Sequence, residues 1–505
     1  MNITLPGFWL CAAVLVLLYY CVPGRLQWVV LLMASWGFYL RSGAEYLVFL
    51  LLTTVTTYLA AVTMDNRMRG LKDAPPEERR QGRGALRRKN QRTLACWIGG
   101  NFGVLLLCKA SLTRPVAAVL QGGRLDFLTL GLPMGISFYL FQSAGYVMDV
   151  YRGRETAQRS LPRLALFVSY FPQLIQGPIS RYSALAPQLF SPHRFDGKQV
   201  SFGTQRIIWG LFKKLVIADR MAPAVAVLRG IPGGTAFACL SVCYAIQIYA
   251  DFTGGIDMML GLSQCFGIIL PENFTRPFLS KNTAEYWRRW HITLGEWMKE
   301  YIFYPVSAST PLLRLSKLTR NRWGSFGRRT GVYAASAVTW LATGLWHGLT
   351  PNFPLWGLLN WAVIVISQEL SPLYRKFHSR FHWKEKRWYG WFEVTRMFLL
   401  MNLIRVCDLF PDPRDYFRGI ASLFSGFSPV SVPCMTALDW GIVGLGCLLM
   451  AAVSLVQEKQ GSIRALLWEK AGLRYGLLFG LLLAVLLLGR YGVGYDAANF
   501  VYNQF

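Results

Sequence analysis

Apolar residues fall along this chain in runs close to 20 residues long, separated by short polar segments. Residues 7–22, 26–40 and 45–63 form the first three, and 94–110, 127–150, 235–262, 331–349, 353–370, 391–410, 438–456 and 475–490 continue the series. Runs of that length with few charges match a helix crossing a hydrocarbon core about 30 Å thick. With the stretch at 201–228 the pattern predicts about eleven or twelve spans. The expected architecture is an all-α polytopic membrane protein, with re-entrant or interfacial helices added. No long soluble linker divides it, so residues 1–505 read as one membrane-embedded domain: N-terminal spans at 1–126, a core at 127–370 and C-terminal spans at 371–505.

Four stretches break the pattern. Between Leu164 and Tyr182, FVSYFPQLIQGPISRY is apolar but interrupted by Pro172 and by Gly177-Pro178. Proline removes a donor and disturbs a helix, so this stretch reads either as a re-entrant segment buried in protein or as a loop lying on the membrane. In 201–228, Lys213 and Lys214 sit among apolar residues, either as a buried cation pair or as lysines snorkelling from an amphipathic helix. The next run carries Asp251 and Asp257, six apart and off one helical face, with Gly254-Gly255 between them. Those glycines can break the helix and admit close backbone approach. The aspartates read equally as cavity lining or as polar glue between helices. The fourth break, residues 273–305, is NFTRPFLSKNTAEYWRRWHITLGEWMKEYIFYP. It is basic and aromatic, and at membrane depth its polar groups require a cavity or a protein partner.

Composition supports the membrane reading. The chain is 53% hydrophobic and 16% charged, against about 25% charged in soluble proteins. The net charge of +27 would suggest nucleic acid in a soluble protein, but the basic residues cluster in short segments between spans. Asp65 to Arg92 holds ten Lys/Arg against four Asp/Glu, and Arg152–Arg163, Arg314–Arg329 and Arg375–Arg387 are also basic. The positive-inside rule accounts for that distribution, and no recognition motif accompanies it, so nucleic acid is not an expected partner. The N-terminus lacks a basic n-region, since its first Lys or Arg is Arg25. It therefore reads as an uncleaved first span that begins outside. Three spans then bring the 65–92 loop inside, the short Arg114–Arg124 segment falls outside, and parity returns the C-terminus to the outside. Ten scattered cysteines include no CxxC pair. They read as small apolar packing residues, and neither a disulfide framework nor a metal site has support in the spacing.

The candidate chemistry rests on two of five histidines. His193, His378 and His382 lie in polar, Pro-containing or basic segments, whereas His291 in WRRWH and His347 in GLWHG have aromatic and apolar neighbours. The alternative for each is a core histidine that only satisfies its surroundings. A neutral imidazole can take a hydroxyl proton. No GxSxG elbow and no HExxH spacing occur. This inventory fits direct transfer of a group from an activated donor to a hydroxyl. Arg288 and Arg289, being adjacent, point to different helix faces. One is expected to meet an anionic donor group and the other to cap or snorkel.

At these residues the sequence resembles the membrane-bound O-acyltransferases, in the branch of the alginate O-acetylation and teichoic-acid D-alanylation membrane proteins. The segments that carry the resemblance are FPQLIQGPISRY, GLFKKLVIADRMA, QIYADFTGGIDMMLGL, PENFTRPFLSKNTAEYWRRWHITL and GLWHG, between about Leu130 and Gly357, with the terminal ANFVYNQF similar to alginate-type members. The chain departs from the family after Pro305, which is followed by VSAST, at Gly254-Gly255, and at Asn360 where a histidine is common.

The resemblance implies a ring of tilted helices around a central tunnel, which joins a cytoplasmic donor site to an outward-facing funnel. It places the functional histidine on His347 and the second signature position on His291. Trp287, Arg288, Arg289, Trp290, Asn273 and Trp346 follow as candidate substrate-binding residues. No bound cofactor and no metal are implied. The donor is expected to be a cytoplasmic thioester, either acetyl-CoA or an acylated carrier protein. The acceptor is expected to be a hydroxyl of an envelope polysaccharide, reached through an extracytoplasmic hydrolase-like partner protein. The implied setting is a bacterial cytoplasmic membrane, with membrane lipid as surroundings. Two further classes stay open: a transporter or flippase working through Asp251 and Asp257, though no inverted repeat is evident, and a structural envelope subunit.

Overall fold

The computed structural model describes residues 3–111, 133 and 135–491. The expected Arg114–Arg124 segment, the start of the 127–150 run and the terminal ANFVYNQF lie outside the described residues. Within them the chain is helical, without a named strand. Among the described residues, five helices are long and apolar enough to cross a membrane: Ala44–Asp73, Pro76–Ser111, Gly234–Cys265, Ala437–Gln460 and Ala471–Leu488. A sixth span arises if Asn352–Glu369 and Ser371–Phe381, bent by 51° at their junction, are counted as one. Where they are described, the other apolar runs of the sequence fall in helices that are short, interrupted or not apolar enough to qualify. The chain divides into two compact units, residues 1–204 with 259–271 and residues 205–258 with 272–505.

The first unit opens with α1 (Pro6–Cys21), α2 (Gln27–Ser42), α3 (Leu47–Asp73), α4 (Pro76–Ser111) and α5 (Ile136–Tyr151). The hairpin from α3 to α4 follows from Pro75-Pro76. Ala74 is extended (φ −73°, ψ 155°), and Glu77 and Glu78 occupy the first turn of α4. A residue before proline avoids the helical region, and acids suit a helix start. The Leu164–Tyr182 stretch forms α6 (Leu161–Ser169), α7 (Phe171–Gln176) and the start of α8 (Tyr182–Phe190). The chain breaks between α6 and α7 at Tyr170, ahead of Pro172. Residues 164–180 are all buried, so the surface-loop alternative does not apply. Side chains satisfy the irregular backbone: Gln142 donates to the Phe167 carbonyl (2.7 Å) and Gln173 to that of Pro178 (3.0 Å).

In the second unit, the region of the lysine pair is a π-helix, Phe212–Ala218, with all seven residues buried. Lys213 and Lys214 are 4% and 1% exposed, which settles them as buried cations. Lys214 Nζ lies 2.5 Å from Asp251 and 2.9 Å from Asp219. Lys213 Nζ lies 2.5 Å from Asp257, which Arg206 also reaches at 2.8 Å. The two aspartates thus act as glue between helices. The expected helix break at Gly254-Gly255 does not occur, because the Gly234–Cys265 helix runs through it. The close approach does occur: a Cβ on Gly254 would stand 2.9 Å from the Gly210 carbonyl, and one on Gly210 would stand 2.5 Å from that of Gly254.

The helix Thr310–His347 is a hairpin in itself, reversed at Trp323 (φ −125°) and Gly324 (φ 54°, ψ −122°). Glycine supplies the left-handed turn. Gly327 and Gly331 then let the second arm lie against the first, since a Cβ there would meet the Thr319 carbonyl at 2.1 Å and Ser316 Oγ at 2.2 Å. The run read as 331–349 is this second arm.

Candidate active site

His291 is held by an irregular stretch rather than a helix. The chain between Asn273 and Trp290 closes on itself through an isolated antiparallel bridge from Phe274 to Trp290. Thr275 N–H donates to the Arg289 carbonyl (2.9 Å) and Ile292 N–H to that of Asn273 (3.0 Å). His291 itself sits at φ 49°, ψ 50°, and its carbonyl accepts from Gly295 N–H (3.0 Å) as the next helix begins. A left-handed non-glycine residue is uncommon and marks a position that its surroundings over-determine.

Asn273 fixes the imidazole. Its Oδ1 accepts from Thr293 N–H (3.1 Å), from the Thr293 hydroxyl (2.9 Å) and from His291 Nδ1 (3.3 Å). The backbone donor identifies that atom as the amide oxygen, and an oxygen of this kind only accepts. The His291 proton is therefore on Nδ1 and the lone pair on Nε2. Burial, helped by the nearby Arg405 cation, holds this imidazole well below its ordinary pKa, so the ring is neutral near pH 7.

His347 is the last residue of the Thr310–His347 hairpin, next to the turn into Asn352–Glu369. The glycines of GLWHG make that turn tight. A Cβ on Gly344 would stand 2.4 Å from the Phe353 carbonyl, and one on Gly348 would stand 2.3 Å from the Phe353 ring. The imidazole of His347 rests in an aromatic cage: Trp346 at 4.7 Å, Trp356 edge-on at 5.0 Å and Phe353 stacked at 6.4 Å between ring centroids. Trp346 also lies 5.8 Å from the His291 ring at 70°, so one indole adjoins both histidines.

Both histidines line a cavity of about 490 Å³ inside the second unit. Trp287, Arg288 and Trp290 line it with them, and so do Lys299, Trp340, Trp356, Arg405 and Asp408. Arg288 and Lys299 are exposed, while Trp290 and Arg405 are buried. The expected site residues divide accordingly. Asn273 and Trp346 do not line the cavity but hold or flank the histidines that do. Arg289 turns elsewhere, to Glu285 (2.7 Å) and Glu458 (2.8 Å). The two adjacent arginines thus separate as their helical spacing requires. Asp251 and Asp257 are not part of the lining.

Arg405 is a residue that the sequence reading passed over. Its guanidinium lies 3.9 Å over the Trp290 ring, and it donates to the Tyr286 hydroxyl at 2.6 Å. Stacking and a charge-assisted bond together orient the cation. The available signal was a lone arginine inside the apolar run MFLLMNLIRVCDLF, the kind of intramembrane charge that needs a reason.

Comparison with known proteins covers this same region. The model of MBOAT, the membrane-bound O-acyltransferase family, matches residues 154–409, which include both histidines and the cavity lining. Over 364 residues the chain is 32% identical to a probable alginate O-acetylase AlgI of Azotobacter vinelandii, covering 70% of this chain and 66% of that protein. It is 33% identical over 284 residues to a peptidoglycan O-acetyltransferase of Helicobacter pylori, half of each chain. Similarity to a teichoic acid D-alanyltransferase of Bacillus subtilis is 26% over 264 residues, 50% of this chain and 63% of that protein. The chain thus spans just under two thirds of the Azotobacter relative. With the model matching half of the sequence and the match centred on the cavity, this chain belongs to the membrane-bound O-acyltransferase family.

Proposed function

We propose that this protein transfers an acyl group, acetyl in the first instance, from a cytoplasmic thioester to a hydroxyl of an envelope polysaccharide. The observation that carries this reading is the pair of histidines on one cavity within the family-matched region. In the reaction the acceptor oxygen bonds to the thioester carbonyl carbon as its proton passes to the imidazole of His347. The tetrahedral intermediate then expels the thiolate, which recovers the proton, leaving an ester and a free thiol. Base catalysis of this kind contributes about 10²–10⁴-fold. The neutral His291, oriented by Asn273, positions the donor at the carbonyl. Arg405 and Trp290 are buried in the lining, and Arg405 is assigned to stabilise the developing oxyanion because it is the buried cation among the lining residues.

Acetyl-CoA is the favoured donor because the higher identities are to proteins named as O-acetylases and O-acetyltransferases. The exposed Arg288 and Lys299 on the rim of the cavity supply cations for nucleotide phosphates. A D-alanyl thioester on a carrier protein is the second reading, supported by the similarity to the Bacillus subtilis D-alanyltransferase. Transfer to polymer through an extracytoplasmic hydrolase-like partner, a tunnel through the membrane and extracytoplasmic termini complete the proposal. A transporter working through Asp251 and Asp257 finds no support, because both are engaged by lysines away from the cavity.

The test uses purified protein in liposomes, wild type beside His347→Ala, with acetyl-CoA labelled on the acetyl group and envelope extract as acceptor. Thioester consumption and label transfer by the wild type alone are the expected result. Equal consumption by both proteins would remove His347 as the base. Consumption of a D-alanyl carrier thioester but not acetyl-CoA would move the donor to the second reading.

A further inference from the structure

A second hollow lies in the first unit, away from the histidines. It is a groove of about 500 Å³ formed by α3, α4 and α5. On α3 its lining runs from Phe49 to Thr63, which at 1.5 Å per residue is about 21 Å along the axis. On α4 the lining residues are spaced along one face from Thr93 to Val104. Leu52, Leu59 and Cys96 on the walls are exposed, so the groove opens sideways from helices that qualify as membrane spans. Two of its polar lining residues pair with each other, since Asn101 donates to Thr56 Oγ1 at 3.2 Å and also to the Trp97 carbonyl at 3.0 Å. What remains is an apolar furrow open to lipid.

One end of the furrow is basic. Continuing the lining face by one turn leads from Thr63 to Arg67 on α3, and from Thr93 to Lys89 on α4. Arg67 is fixed over that end by donating to Thr93 Oγ1 (2.9 Å) and Asn90 Oδ1 (3.4 Å). Arg159 reaches the same place through Asn66 (2.6 Å), and the local carboxylate, Asp65, is shared between Arg69 (3.0 Å) and Arg159. Arg69 and Arg159 thus share Asp65, while Arg67 and Lys89 continue the two lining faces beside them. This is also the end that the charge distribution assigns to the cytoplasm.

We propose that this groove is a binding site for one anionic phospholipid, with an acyl chain along the furrow and the headgroup phosphate at Arg67 and Lys89. The furrow is long enough for an acyl chain, because one leaflet of hydrocarbon is about 15 Å deep, half of the core. The cations stand where a phosphate would emerge. A zwitterionic lipid offers the same chain without net charge, so the basic end confers headgroup preference.

Gly100 provides the decisive variant. It lines the groove, and a Cβ there meets nothing within 4 Å, so Gly100→Phe starts from open space and places a ring in the furrow. Gly99→Phe is the control: it is equally unobstructed but outside the lining. The full-length protein, purified with phosphatidylglycerol or phosphatidylcholine, is examined by native mass spectrometry for retained lipid, with thermal unfolding to confirm folding. The wild type and Gly99→Phe are expected to retain one phosphatidylglycerol, preferred about tenfold over phosphatidylcholine. Gly100→Phe is expected to lose it, and Arg67→Gln with Lys89→Gln to hold both lipids alike. Retention by Gly100→Phe at the wild-type level would overturn the groove assignment. Equal retention of the two lipids by the wild type would overturn the role of the basic end. A groove-dependent dimer without lipid would give the site to a second copy of the chain and overturn the proposal.

Discussion

Asn273 Oδ1 accepts from His291 Nδ1 across eighteen positions of chain, and the same oxygen takes two bonds from Thr293. One buried amide oxygen therefore sets both the tautomer of an imidazole and the start of the following helix. Asn273→Ala would leave the buried Thr293 donors without this acceptor, at about 1–3 kcal/mol. It would also free the ring to change tautomer. The expected outcome is a lowered melting temperature together with a loss of about tenfold in turnover, the equivalent of 1.4 kcal/mol. Asn273→Asp keeps an acceptor and should restore much of the stability. Full turnover in Asn273→Ala, measured by thioester consumption, would mean that His291 needs no orientation.

His291 and His347 should respond differently to substitution. His347 ends a helix in ordinary geometry, so His347→Gln should fold as the wild type and lose about 10²–10⁴-fold in rate. His291 occupies a left-handed position, which asparagine tolerates and a β-branched residue does not. His291→Asn should therefore fold and report on chemistry alone, whereas His291→Val should lose stability by about 1–2 kcal/mol. Unfolding curves beside initial rates separate the two effects. A His291→Val protein as stable as His291→Asn would contradict the strain argument.

The buried ion pairs make a stability prediction with an internal control. Lys214→Met leaves Asp251 and Asp219 without their lysine in the interior, which should cost about 3–5 kcal/mol. Adding Asp251→Leu removes one of the orphaned carboxylates and should recover part of that loss. A double variant no more stable than Lys214→Met would show that the pair does not act as a unit. Transfer activity in a folded double variant is expected to persist, since Asp251 does not line the cavity.

The parts of this structure that could be read from sequence were those governed by local rules. Length and apolarity marked the five long apolar helices, although the same rule predicted about eleven or twelve spans. Proline and glycine marked the broken segment at 164–182, and the aromatic setting separated His291 and His347 from the other three histidines. What could not be read depended on distant partners. Lys213 and Lys214 are compatible with burial or snorkelling until Asp257 and Asp251 are seen beside them. Gly254-Gly255 signals close approach equally well with and without a helix break, and the packing of Gly210 against it decides the matter. Helical spacing separates Arg288 from Arg289, but which of them turns from the cavity depends on Glu458, far along the chain. Arg405 joins the site only through Trp290 and Tyr286, more than a hundred positions earlier.

The turn that carries His347 supplies the last prediction. Gly344 and Gly357 face each other between two arms, the second arm of Thr310–His347 and the helix Asn352–Glu369, which form a hairpin around the His347 turn. A Cβ on Gly344 would stand 2.4 Å from the Phe353 carbonyl, and one on Gly357 would stand 2.3 Å from that of Trp340. Backbone cannot yield as a flexible side chain can, so Gly344→Ala or Gly357→Ala must push the arms apart. Overpacking of this kind costs about 1–3 kcal/mol. His347 lies less than one turn beyond Gly344, and its cage is built from Phe353 and Trp356 on the opposite arm. Separation therefore displaces the imidazole from its neighbours before the fold is lost, and turnover should fall more steeply than stability. Gly476→Ala, in the helix Ala471–Leu488 with nothing within 4 Å of its Cβ, serves as the comparison and should be neutral or gain about 0.5–1 kcal/mol. If Gly344→Ala matched Gly476→Ala in both melting temperature and rate, the hairpin would not be what positions His347.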